Sequence, residues 1–204
     1  MVEYVEIQGG LRACVPRFKL EEVQLDRRGY EVLTRASREL ARLDGLVELL
    51  MSRGLGVLTY PLLVREAAAS SRIEGTRASF TDALMHGAQG RLFGLRAKSD
   101  VREIINYVET SELGFRLLEE FPLSWRLLRL LHRKLLEGVR GSQKNPGEFR
   151  NGVVYIGGAS IQNASYIPPP PQYLPELASE FEKYLERENG LDPLIKCGIL
   201  HAQF

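Results

Sequence analysis

An all-α fold, a helical bundle broken by one short β-hairpin loop, is predicted by three observations. Apolar residues recur at intervals of three and four in seven stretches of the chain. Glycine and proline stand near the ends of those stretches. Between Gly141 and Pro171 the helical period disappears, and Val153-Val154-Tyr155-Ile156 forms a short β-branched and aromatic run closed by Gly157-Gly158.

Taken in order, residues 1–19 mix polar and apolar side chains around Gly9-Gly10 and Pro16, which suggests an extended arm or strand over the helical body. Asp26 to Met51 reads as a helix in which Leu33, Ser37, Leu40, Asp44, Val47 and Met51 recur at three and four, flanked by Ala36, Leu43 and Leu50, a stripe wide enough for a core, ended by Gly54 and Gly56. A second helix starts near Pro61, carries Leu62, Leu63, Val64, Ala67 and Ala68 toward Ser71, and stops at Gly75. Ser79 to Ala88 gives a short helix, followed by a glycine-containing loop from Gly87 to Gly94. Asp100-Val101-Arg102-Glu103 has capping-box spacing and opens a helix through Ile104, Ile105, Val108 and Leu113 to about Glu120.

Pro122-Leu123-Ser124 opens a helix with Trp125, Leu128, Leu131, Leu135 and Val139 on one face, closed by Gly141. His132 lies beside that face, where its ring is expected over the seam between helices. Asn145-Pro146-Gly147 is a turn, and Pro168 to Pro171 favours polyproline backbone. Pro175 begins a helix with Leu177, Phe181, Tyr184 and Leu185 on one side, before Gly190. Asp192-Pro193 starts the last helix with a carboxylate N-cap and proline in the first turn. No stop signal follows Leu194, Ile195, Ile199 and Leu200 before Phe204, so the expectation is a fragment of a longer protein.

With 204 residues the chain can bury the core of one domain, or of one and a half. Its 27 basic and 26 acidic residues leave a formal charge of +1, with no basic tract to attract nucleic acid or an anionic membrane. Cys14 and Cys197 lack metal-site spacing, so neither a disulfide framework nor a zinc site is expected. No apolar stretch approaches the roughly 18 residues of a membrane span, and the first residues lack signal-peptide layout, which makes the cytoplasm the expected compartment.

Ser70-Ser71-Arg72-Ile73-Glu74-Gly75-Thr76 places polar residues at the end of an otherwise apolar helix. Ser70 and Glu74 share a face, and the Glu74 carboxylate stands where the helix dipole disfavours it, so an arginine or lysine elsewhere is the expected partner. Glu74 reads either as a plain exposed carboxylate before a glycine cap, or as a group that occupies an anion site and keeps phosphate out. In the loop from Asn145 to Gly158, the extended run either lies flat on the body or offers a free edge to an extended peptide. Lys144 and Arg150 are candidate phosphate contacts, although paired basic residues in loops usually face solvent. No P-loop or G-x-G-x-x-G fingerprint occurs.

At these residues the chain resembles the Fic (Fic/DOC) family of protein adenylyltransferases. The resemblance rests on Ser70 to Thr76, on Asn145-Pro146-Gly147-Glu148-Phe149-Arg150 with Val154 to Gly158 and Tyr166 to Pro170, and on Leu194 to Phe204, and Arg42 to Gly45 is similar to the family's amino-terminal region. It implies a Fic-type helical bundle arranged as an arm and first helix over 1–60, an inhibitory helix over 61–78, and an incomplete core over 79–204 with a flap at 145–158. It also implies an enzyme that transfers AMP from ATP, with Mg2+, to a Ser, Thr or Tyr hydroxyl of a protein substrate, and a homodimer as one assembly.

The first stretch is similar to the family's inhibitory pattern, which makes Ser70, Glu74 and Gly75 the inhibitory residues, with Glu74 blocking the ATP site. Val153, Val154, Tyr155, Ile156, Gly157 and Gly158 become the flap that clamps the target. The family's His-Pro-Phe-x-x-Gly-Asn-Gly-Arg-x-x-Arg motif is absent, so His201 is not the catalytic histidine. The catalytic group is expected beyond Phe204, and the 204 residues alone are expected to be inactive. Whether the glutamate also assists AMP removal stays open. The alternative is a non-catalytic helical interaction or regulatory module that binds a peptide at the flap.

Overall fold

The computed structural model describes residues 2–17, 23–52, 59–93, 99–187 and 190–204. Among them are seven α-helices and one regular two-stranded hairpin, a mostly α-helical architecture. The chain divides into two compact units, residues 1–44 with 149–204 and residues 45–148. The boundary at Asp44 and Gly45 falls within the long helix α1, Arg27–Ser52.

In the unit of residues 45–148, α2 (Thr59–Ile73), α3 (Phe80–Phe93), α4 (Ser99–Leu118) and α5 (Trp125–Leu135) follow one another. Their core joins Val64, Ala67 and Ala68 of α2, Ala78 of the connection, Ala83 of α3, and Val101, Ile104 and Val108 of α4. Ala67 and Ala68 are small enough for the α2 backbone to approach α4 closely, where Ile104 is fully buried. Ser79 and Asp82 cap α3 reciprocally: Ser79 N–H donates to Asp82 Oδ2 (2.9 Å) and Asp82 N–H to Ser79 Oγ (3.1 Å). Leu131 of α5 packs over Gly114 of α4, where an added Cβ would stand 3.2 Å from Leu131 Cδ1.

The buried Asn106 of α4 donates from Nδ2 to the carbonyls of Leu135 and Glu137, 2.9 Å each, and so holds the end of α5. Its Oδ1 has no partner among the described residues.

In the other unit, β1 (Val2–Ile7) and β2 (Leu11–Pro16) pair antiparallel about Gly9-Gly10, with Tyr4 opposite Cys14. Ala13 and Val15 of β2 are fully buried. Cys14 N–H donates to the Ile167 carbonyl (2.8 Å), tying the strand to the proline run, where Pro170 has φ −58° and ψ 152°. Arg17 joins Glu3 to Glu176 and Glu180 of α6 (Leu174–Glu186), and these carboxylates, Glu176 foremost, raise its already high pKa. Leu177, Ala178, Phe181 and Tyr184 make the buried face of α6. Helix α7 (Pro193–Gln203) starts as expected, with Asp192 Oδ1 accepting from Leu194 N–H (2.8 Å). Its Lys196 ammonium donates to the carbonyls of Leu185 (2.9 Å) and Arg187 (3.1 Å), a cation at the negative end of α6.

Several expectations need correction. The α1 stripe does not face a core: no residue of α1 is buried, and Leu40, Leu43 and Met51 are more than half exposed, because no described element covers them. Gly54 and Gly56 lie outside the described residues. No loop begins at Gly87; α3 continues to Phe93, with Gly87 providing room for the Tyr60 hydroxyl 2.7 Å from where a Cβ would sit, and Gly94 lies outside the described residues. Asp100 and Glu103 do not form a capping box, since α4 already starts at Ser99 and both carboxylates bond to the chain before α3. Helix α5 ends at Leu135, ahead of Val139 and Gly141, and α6 ends at Glu186, ahead of Gly190.

Replacing Asn106 by Ala leaves the carbonyls of Leu135 and Glu137 without these donors. Urea unfolding is expected to reveal a loss of about 2–4 kcal/mol.

Candidate functional site

Ser70, Glu74 and Gly75 sit at the end of α2. Gly75 takes φ +89°, its N–H donates to the Arg72 carbonyl (3.0 Å), and Thr76 N–H reaches back to the Ser71 carbonyl (3.1 Å). This pair of bonds is a Schellman termination with Glu74 as C-cap. Ser70 is not bonded to Glu74; its hydroxyl donates one turn back to Glu66 Oε1 (3.0 Å), an i, i+4 pair passed over in the sequence.

Glu74 is exposed, and its carboxylate makes no hydrogen bond or ion pair among the described residues. The expected cation is present, but on the backbone: Arg140 Nη2 donates to the Glu74 carbonyl at 2.8 Å. Arg140 Nε also lies 3.8 Å from Glu103 Oε1, while the buried Thr76 hydroxyl donates to Glu103 Oε2. Arg77 N–H donates to Asp100 Oδ2 (2.9 Å). Arg140, Glu103 and Asp100 carried no sequence signal for this role, because none is near Glu74 in the chain.

The turn at Asn145 to Gly147 is docked on α5. Asn145 has φ +51° and Gly147 φ +82°. Gly147 N–H donates to His132 Nδ1 (2.9 Å), its carbonyl accepts from Arg129 Nε (2.5 Å), and Glu148 accepts from Arg129 and from Arg133 Nη2 (2.9 Å). His132 is therefore an exposed acceptor for a loop amide rather than a ring over a helix seam. A Cβ at Gly147 would come within 2.6 Å of the Arg129 carbonyl. The two guanidiniums, Arg133 first, hold the Glu148 carboxyl below the usual glutamate range.

In the other unit, the flap segment is bounded by one isolated bridge, Ile156 with Tyr166: Ile156 N–H donates to the Tyr166 carbonyl (2.8 Å), and Tyr166 N–H returns to Ile156 (3.1 Å). Among the described residues the regular hairpin is thus the amino-terminal one, and the flap is a loop closed at a single rung. Gly157 and Gly158 have φ +73° and +79°, and a Cβ on Gly158 would fall 2.3 Å from the Asn163 carbonyl oxygen. Val153, Val154, Tyr155 and Ile156 are exposed. The backbone amides and carbonyls of Val153, Val154 and Tyr155 have no partner among the described residues.

Arg150 is no free phosphate contact, since it donates to the carbonyls of Gly152 (3.4 Å) and Pro169 (2.5 Å) across the base of the loop, and burial lowers its pKa. Burial, with Cys14 second, pushes the neighbouring Tyr166 phenol up.

An open groove of about 560 Å³ lies in the unit of residues 45–148, lined in part by Leu113, Leu130, Leu136 and Pro146, and none of the expected site residues borders it. Among the described residues, no group of three or more His, Cys, Asp or Glu could hold a metal ion. No helix among them is long and apolar enough to cross a membrane.

The fold and these features define a helical domain with a capped acidic helix end and an exposed, glycine-bounded loop. Residues 30–116 match the family model described as Fic/DOC family N-terminal, and residues 122–204 match that described as Fic/DOC family. The chain belongs to the Fic/DOC family. A crystal structure of a Fic family protein from Desulfovibrio desulfuricans G20 superposes with a TM-score of 0.66 over 89% of this chain, at 21% identity, a likeness of fold. The chain spans 52% of that protein's length.

The depressed Glu148 pKa means that its ion pairs stabilise the turn fully above the unfolded glutamate value and are lost as pH falls through the lower folded one. Protection of the amides of residues 145–148, measured as exchange relative to the intrinsic rate at each pH, is expected to fall as acidification passes below the ordinary glutamate range. Glu148→Gln is expected to show faster exchange already at neutral pH.

Proposed function

We propose that these residues are a portion of a protein adenylyltransferase that moves AMP from ATP to a Ser, Thr or Tyr hydroxyl of a protein, restrained by Glu74. Family membership is consistent with adenylyltransferase-type activity. The observation that carries the inhibitory assignment is the Glu74 carboxylate itself, unpaired among the described residues at a helix end whose backbone is fixed. A carboxylate so placed can pair with a guanidinium that would otherwise hold the terminal phosphate of ATP. Ser70 and Gly75 shape that end, one beside Glu66 and the other as the left-handed cap.

The flap at Val153 to Gly158 is assigned to the target. Its unpaired backbone groups and exposed apolar side chains suit the addition of an extended segment of a protein substrate. Proton removal from the attacking hydroxyl belongs to a histidine outside residues 1–204, because the family motif is absent from them. Mg2+ bound with ATP would neutralise phosphate charge. The described residues present no cluster of His, Cys, Asp or Glu to hold it.

Labelled-ATP transfer by the full-length protein is expected to rise at least about tenfold in Glu74→Gly, the scale of one charge-assisted contact. Equal rates would overturn the inhibitory assignment. Absence of transfer from both would favour an interaction module instead. Residues 1–204 alone are expected to transfer no AMP with either residue.

A further inference from the structure

The chain on both sides of Gly75 is tied to other parts of its unit by hydrogen bonds. Gly75 itself caps α2 with φ +89° and nothing within 4 Å of where a Cβ would sit. Before Gly75, the Glu74 carbonyl accepts from Arg140 Nη2 at 2.8 Å. After it, the Thr76 hydroxyl, in a residue 5% exposed, donates to Glu103, and Arg77 N–H donates to Asp100 at 2.9 Å. Arg140 Nε stands 3.8 Å from the other oxygen of Glu103, so one ion pair links the two sides.

The backbone that carries Arg140 is anchored. The neighbouring Val139 is buried, and the Glu137 carbonyl is held by the buried Asn106.

We propose that Arg140, working with Glu103 and Thr76, is the positioning device of the Glu74 brake. It fixes the backbone from which the Glu74 side chain departs, and its charge offsets the cost of a carboxylate at the negative end of α2. Because it bonds the carbonyl and not the carboxylate, it does both while leaving the inhibitory group available. The assignment rests on the inhibitory reading of Glu74 and names what holds the inhibitory group in place.

The test is Arg140→Ala in the full-length protein, made with Glu74 present and again with Glu74→Gly, since Arg140 is largely exposed and its removal spares the core. With Glu74 present, AMP transfer is expected to rise about tenfold, and amide exchange at residues 74–77 to accelerate similarly, as for loss of one charge-assisted hydrogen bond. With Glu74→Gly, the same substitution is expected to add nothing. If Glu74→Gly activates and Arg140→Ala does not, the positioning role is overturned while the inhibitory reading stands. An equal rise in both backgrounds, or unchanged exchange at 74–77, also overturns it. If Glu74→Gly itself is silent, the inhibitory reading falls and the proposal with it.

Discussion

Close packing of α2 on α4 is the constraint from which the candidate inhibitory end follows. Ala67 and Ala68 bring the α2 backbone near α4, where Ile104 fills the interface. Only with the helices this close can Glu103, one residue before Ile104, reach the Thr76 hydroxyl, and Asp100 the Arg77 amide. Larger side chains at 67 or 68 would push α2 outward and pull these short bonds apart. The position of the acidic helix end is therefore set by apolar contacts about two turns earlier, and polar bonds refine it.

Helix existence was legible in the residues, because amphipathic period and caps are local signals. Ser124, Asp192 and Gly75 act at the helix boundaries that spacing assigns to them. What covers a stripe is not local. The α1 pattern of Leu33, Leu40 and Val47 is sound helical periodicity, yet burial depends on a neighbour, and no described element supplies one. The capping-box spacing at Asp100 failed for a related reason: both carboxylates found tertiary donors, and the helix began one residue earlier.

The flap segment illustrates a different limit. Its β-branched run invited a hairpin, but a hairpin needs a second strand in register, and the chain returning through Ser160 to Asn163 folds into a 3-10 turn. Among the described residues Ile156 and Tyr166 make the one ladder pair here, with Ser165 N–H also donating to the Ile156 carbonyl at 2.9 Å. Two adjacent glycines with positive φ make the reversal so tight that Asn163 and Ser165 pack where Cβ atoms would be. The outcome is an ordered loop base, clamped by Arg150 to the proline run, below a stretch with free backbone groups. In this arrangement the glycines and Arg150 shape the loop, Ile156 closes it, and the backbone of Val153 to Tyr155 has no partner among the described residues.

The two candidate regions share one physical logic. Among the described residues, the carbonyl of Glu74 at the end of α2 has a partner while its carboxylate has none. At the flap, the base is hydrogen-bonded while the Val153 to Tyr155 backbone has no partner among them. A free carboxylate at a helix C-terminus is electrostatically unfavourable, and unpaired backbone on an exposed apolar run gains nothing in the isolated chain. Neither feature adds stability to the units described, and each sits on a base whose own bonds are nearly complete. Both groups are mounted on bonded bases and lack partners among the described residues, and it is this division that motivates reading Glu74 and the flap as the groups that act on something else.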